Sequence, residues 1–278
     1  MKRIIPRASL TLTTLAVLLF LSNRAGAEIR YEVSLAHPEQ HLFHVQMEIP
    51  DVQDEVTLQM AAWNALYQIR DFSSHVQEVE AFADGQPVNI EKLDKLTWRV
   101  RGSGTITIKY DTFWDDAGPF NSQLNSEHAF INPAMILLYV PDRRSERSTL
   151  GLVDLPAGWA AVAATDAQML QSSQIRMYKL AAPSFDQLAD APIEVSHFET
   201  FLLHDVTPTV LVVIHGDNYK KSDVENALRK IVMYETKMME ARRIPNTRSS
   251  FTLAKPQRAE GAAWSTPTAP RSSYPPAI

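Results

Sequence analysis

The chain contains no cysteine, so its chemistry has to come from histidines, carboxylates and hydroxyls. Thiolate nucleophiles and thiolate zinc sites are excluded, and an oxidising compartment would add no disulfide. The histidines are His37, His41, His44, His75, His128, His197, His204 and His215. Two imidazoles one helical turn apart with a glutamate after the first, H-E-x-x-H, would hold zinc and supply a base. No pair here has that pattern. The densest cluster is His37-Pro-Glu-Gln-His41-Leu-Phe-His44, but Pro38 opposes a helix, and on a strand His41 and His44 face opposite sides. They read as surface histidines. Asp115-Asp116 and Glu78/Glu80 are carboxylate pairs of the kind used in acid–base chemistry, yet nothing positions a partner for them, so they read as solvated faces. A G-x-S-x-G turn, a phosphate-binding glycine loop and G-x-G-x-x-G are all absent. The expectation is no catalytic, cofactor-binding or metal-ligating residue in this chain.

The elements that would carry a site are mostly strands. Ile29–Leu35, His41–Ile49, Glu55–Met60, Val76–Phe82, Leu96–Val100 and Thr105–Tyr110 alternate or are β-rich, and Ala83-Asp-Gly85 and Arg101-Gly-Ser-Gly104 separate them as turns. Many short antiparallel strands predict a β-sandwich. Residues 112–126 read as a long surface loop, and Ala129–Tyr139 as a return to the core. Phe198–Leu203 and Thr209–Ile214 are two further apolar strands, followed by a turn at His215-Gly-Asp-Asn218. A helix then follows: Ser222 and Glu225 form a capping box, and Ala227, Leu228, Ile231, Tyr234 and Met238 share one face.

At the start, Lys2, Arg3 and Arg7 precede an apolar run Leu10–Leu21 and an Ala25-Gly-Ala27 cleavage site, the pattern of a signal peptide over 1–27. Export to the periplasm or outside the cell is expected. The run is short for a bilayer span, so no stable membrane insertion is expected after cleavage. The net charge of −5 conceals a body, residues 28–242, with 18 basic and 31 acidic side chains, a balance of −13. That balance disfavours nucleic acid and acidic membrane surfaces as partners; peptides or another protein remain.

Two stretches carry a family resemblance. Trp63, Tyr67, Ile69, Arg70, Asp71 and Phe72 match W-x-P-G-x-Y-x-I-R-D-F, although Asn64-Ala65-Leu66 replaces Pro-Gly and the Trp–Tyr spacing is one residue shorter. Leu188, Asp190, Pro192, Glu194 and Val195 match L-x-D-S-P-x-E-V, with Ala191 in place of serine. These motifs resemble the glycyl aminopeptidase-like zinc metallopeptidases, family sixty-one of the metallopeptidases, with gaps from about residue 28 to 240. The resemblance implies an amino-terminal β-domain, then the first strands and helix of a thermolysin-like catalytic domain. It also implies, in the complete member, a zinc ion activating water to cleave after a small amino-terminal residue. Arg70 and Asp71 read as a structural pair fixing a strand end.

The tail 243–278 reverses the charge sign, with Arg243, Arg248, Lys255, Arg258 and Arg271 against Glu260, and holds six of the 17 prolines. Such composition ordinarily marks disorder. A frameshift accounts for more of it. Read one base earlier, Ala263–Trp264 as GCA TGG gives methionine, Trp264–Ser265 as TGG AGC gives glutamate, and Ser265–Thr266 as AGC ACC gives histidine. Carried through to Arg271, the shifted frame permits a glycine-rich turn and an M-E-H-P-N-S-T segment, similar to what the family has ahead of its zinc helix.

The organisation expected is a signal peptide (1–27), a β-sandwich domain (28–183), the start of a catalytic domain (184–242) and an irregular, frameshifted tail (243–278). The function expected is that of a non-catalytic amino-terminal portion, binding no cofactor as translated, with zinc reserved to the complete family member. The alternative is a free-standing periplasmic β-sandwich that binds protein or peptide. Uncovered sheet edges and an apolar helix face predict poor solubility.

Overall fold

In the strand Leu42–Val52 every second side chain is buried from Phe43 through Val45 and Met47 to Ile49, and the rhythm slips only at a bulge where Asp51 takes φ 60°. This alternation sets the architecture of the protein, whose structure is a computed structural model describing residues 28–63, 69–118, 120–163, 167–171, 176–206, 209–216, 218–238 and 250–253. The expected signal peptide, Tyr67 and most of the tail lie outside the described residues.

The largest sheet has eight strands, in spatial order Ala167–Gln171, Arg176–Ala182, Ser148–Val153, Ile29–Ser34, Leu42–Val52, Gly104–Phe113, Val76–Ala83 and Gln86–Val88. One four-stranded sheet runs Leu138–Tyr139, Glu55–Met60, Thr97–Arg101, Ile90–Lys92; a second runs Ala160–Ala163, Ile193–Ser196, His128–Ile131, Gln123–Leu124. Their inner faces close on one core containing Val33, Met47, Leu58, Val100, Ile108 and Leu150. Each fully buried side chain of this size contributes roughly 1.5–3 kcal/mol. The fold is thus mainly β. Within these three sheets one pairing departs from the antiparallel expectation: Ile29–Ser34 lies parallel to Ser148–Val153.

A second, smaller core gathers Leu203, Val206, Val210, Val212, Ile214, Leu228 and Val232. It lies between a three-stranded sheet (Glu199–Leu203, Val210–Ile214, Ser250–Leu253) and the helix Lys221–Met238. Among the described residues no helix is long and apolar enough to cross a membrane.

Several expectations need correction. The stretch 112–126 is not all surface loop: Trp114 is buried, Gln123–Leu124 is a buried strand, and Asp115 bridges to Gln123. Residues 184–196 pack with the first core rather than opening a second domain. Ser184 Oγ caps the helix Phe185–Ala189 by accepting the Gln187 N–H, Phe185 stacks on Tyr139, and Ile193–Ser196 pairs with two strands of the sandwich. The change from one core to the other therefore falls near residue 197. The capping box is not formed, because Ser222 is already the second helical residue; the N–H groups of Asp223 and Val224 reach the Lys220 carbonyl instead. The helix turns a different face inward, with Leu228 and Val232 buried and Val224 packed beside them, while Ile231, Tyr234 and Met238 are 47%, 70% and 66% exposed. Within the tail, residues 250–253 form a strand parallel to Val210–Ile214.

Candidate functional site

At the corner near residue 72, Arg70 and Asp71 do not pair with each other. Arg70 donates to the Phe120 carbonyl at 2.9 Å and lies over the Phe72 ring. Asp71 takes Lys95 at 2.6 Å and accepts the Ser73 hydroxyl at 2.9 Å, and the Lys95 hydrogen bond lowers its pKa. Phe72 meets Trp114 edge-on and His75 stacks on the same indole, 3.6 Å between centroids. These contacts anchor a corner of the sandwich.

The proline of His37–His44 does end in a turn. Pro38–Gln40 is a single 3-10 turn with His37 and His41 in the left-handed region on either side. Glu78 and Glu80 are both exposed, on a bulged strand. Of the candidates singled out in the sequence, His41 and Asp115 meet, with Nδ1 and Oδ1 3.6 Å apart, but no third of them joins the pair among the described residues.

Three residues from distant segments do converge. His128 starts the strand His128–Ile131, Glu194 lies in Ile193–Ser196, and His215 follows Val210–Ile214. In the antiparallel register Phe130 faces Glu194 and His128 faces Ser196, so His128 and Glu194 are diagonal neighbours on the same face of the sheet, within reach of long side chains. His128 Nδ1 lies 3.3 Å from Glu194 Oε1, and His215 Nδ1 lies 3.6 Å from that same oxygen. The two imidazoles are 4.5 Å apart, centroid to centroid. The Glu194 side chain is 1% exposed and each histidine side chain 10%. Three ligand atoms of these residues fall within 4.8 Å of one another, a donor set able to hold a metal ion.

The surroundings fix one imidazole. Gln123 donates its amide to Asp115 Oδ1 at 2.9 Å and so turns Oε1 to His128 Nε2 at 3.0 Å. His128 Nε2 must therefore carry a proton, which orients Nδ1 toward Glu194. Asp115 is also 3.6 Å from His41 Nδ1, extending the polar chain to the surface. Glu194 Oε2 is buried with no hydrogen-bond partner among the described residues. Ile214 and Gly216, on either side of His215, line a cleft of about 260 Å³ that also touches Ser196 and His197.

Sequence reasoning missed this cluster. Its members are 66 and 21 residues apart, with no local spacing to betray them; the one signal was Glu194, already singled out within the segment ending at Val195. An H-E-x-x-H pair is absent from the whole sequence, so this donor set is not that zinc site and no step through the family's catalytic zinc is derived.

Residues 30–197 match the family described as Peptidase M61 N-terminal domain. Among solved structures, an aminopeptidase N family protein from Idiomarina loihiensis superposes with a TM-score of 0.69 at 24% identity, over 81% of this chain and 38% of that one. An M1 zinc metallopeptidase from Deinococcus radiodurans gives 0.43 at 12% identity, covering 82% and 55%. Yeast LTA4 hydrolase gives 0.46 at 12% identity, covering 82% and 37%. The chain therefore spans between about two-fifths and just over half of the length of these structures. No curated protein matches the sequence.

Proposed function

The chain belongs to the M61 peptidase family through the N-terminal domain at residues 30–197, and on that footing we propose that it is the exported, non-catalytic amino-terminal portion of a glycyl aminopeptidase-like metallopeptidase. The observation that carries the reading is the second core. Three strands and one helix bury Leu228 and Val232 but leave Ile231, Tyr234 and Met238, on the adjoining flank of the same helix, in water. A helix whose apolar surface extends beyond the face its sheet covers is suited to pack against a further layer, and among the described residues only one layer is in place. In this account residues 198–238 begin a larger domain. The sandwich would wall its cleft, and the tail from Arg243 reads in a shifted frame. Export rests on the basic, apolar and Ala25-Gly-Ala27 regions of the first 27 residues.

The test is hydrolysis of glycyl and alanyl p-nitroanilides by the purified chain with and without added zinc. No turnover above the blank is expected. Turnover abolished by a chelator and restored by zinc would overturn the non-catalytic reading.

A further inference from the structure

We infer that His128, Glu194 and His215 form a binding site for one divalent transition-metal ion of the zinc class, clamping the sandwich to the strand Val210–Ile214. All three ligands belong to this chain.

Ligand spacing comes first. Two donors each about 2.1 Å from a tetrahedral zinc lie about 3.4 Å from each other. The two contacts of Glu194 Oε1, 3.3 Å to His128 Nδ1 and 3.6 Å to His215 Nδ1, match that edge. Donor chemistry comes second. Two imidazoles and a carboxylate suit zinc, cobalt or nickel, whereas calcium and magnesium seek oxygen alone. Orientation comes third. Metal-bound histidines hold their other ring N–H against a polar partner, and His128 Nε2 does so against Gln123, which Asp115 holds in turn.

Burial supplies an independent observation. The Glu194 carboxylate is almost wholly withdrawn from solvent, and its second oxygen is unpartnered among the described residues. A buried carboxylate with one unmatched oxygen is strongly disfavoured unless positive charge faces it. A divalent ion at the common focus of Oε1 and the two imidazoles provides that charge.

The experiment uses the whole chain, stripped of metal with chelator and titrated with Zn²⁺ by calorimetry and with Co²⁺ by visible absorption. One equivalent of Zn²⁺ is expected, with d–d bands on Co²⁺ loading that Zn²⁺ removes. Glu194→Gln and His215→Ala should abolish the bands. Gln123→Leu should weaken binding roughly 10–100-fold at unchanged stoichiometry. His37→Ala, at an exposed histidine, should change nothing. If a ligand variant fails to fold by near-ultraviolet circular dichroism, histidine modification of the unaltered chain decides. Zn²⁺ must then protect His128 and His215 from diethyl pyrocarbonate and leave His37 reactive. Failure to bind Zn²⁺, binding that survives the Glu194 and His215 changes in folded protein, or protection of His37 alone would overturn the site.

Discussion

The hydroxyl of Tyr110 accepts the backbone N–H of Leu138 at 2.9 Å and donates to the carbonyl of Ile136 at 2.9 Å, tying a central strand of the large sheet to the segment that crosses beneath it. Tyr31 engages the same segment, donating to the Leu138 carbonyl at 3.0 Å. Both phenols are buried, so each satisfies backbone groups that water cannot reach.

Tyr110→Phe keeps the ring and removes the hydroxyl, leaving a buried donor and a buried acceptor without their partner. The expected loss is about 1–3 kcal/mol. Urea unfolding of the two proteins at neutral pH checks it, with an unchanged m-value expected.

The same burial has a pH signature. Desolvation raises both phenol pKa values above the ordinary range, Tyr31 with a further push from Tyr110. A raised folded pKa means that stability is fully present below the unfolded value, about 10, and is lost as pH rises through it toward the folded values. Each tyrosine should steepen the loss by about 1.4 kcal/mol per pH unit above pH 10. Unfolding followed from pH 9 to 12 should show this slope, reduced by one tyrosine's share in Tyr110→Phe.

Gly158 sits at φ +82°, and a Cβ there would overlap Cε1 of His197. Gly158→Ala therefore meets two costs, backbone strain of about 1–3 kcal/mol and the clash. His197→Ala in the Gly158→Ala background should recover the clash alone, so the double-mutant cycle should show coupling. Purely additive thermal shifts would contradict the overlap.

The helix Lys221–Met238 separates packing from exposure within two turns. Leu228→Ala should cost about 2–5 kcal/mol, because the side chain closes the smaller core. Tyr234→Lys, on the outward face, should stay within about 0.5 kcal/mol while shifting the protein from aggregate to monomer on size-exclusion chromatography.

Much of the fold was legible because a half-buried strand writes its two faces as alternation. Glu55–Met60 coincides with the strand read from sequence, and Ile29, Thr97 and Gly104 lie within one residue of the expected starts. The turn Ala83-Asp-Gly85 is where a left-handed Asp84 and Gly85 reverse the chain. Alternation says nothing about which strands become neighbours, so the parallel pairing of Ile29–Ser34 with Ser148–Val153 was invisible. The buried strand Gln123–Leu124 was too short to show a period. The apolar residues of the helix cover one broad arc, and nothing local decides that Val224, Leu228 and Val232 turn inward while Ile231 and Tyr234 do not. His128, Glu194 and His215 meet only through strand register and the junction of two cores, which residue spacing cannot encode.

The most direct measurement for the account as a whole is the nucleotide sequence across codons 235–278 and several hundred bases beyond. The account predicts that the frame one base earlier reads M-E-H-P-N-S-T over the tail and runs on to an H-E-x-x-H. Codons at 243–271 incompatible with that string, with no H-E-x-x-H in any downstream frame, would contradict it and leave the β-sandwich itself as the functional unit.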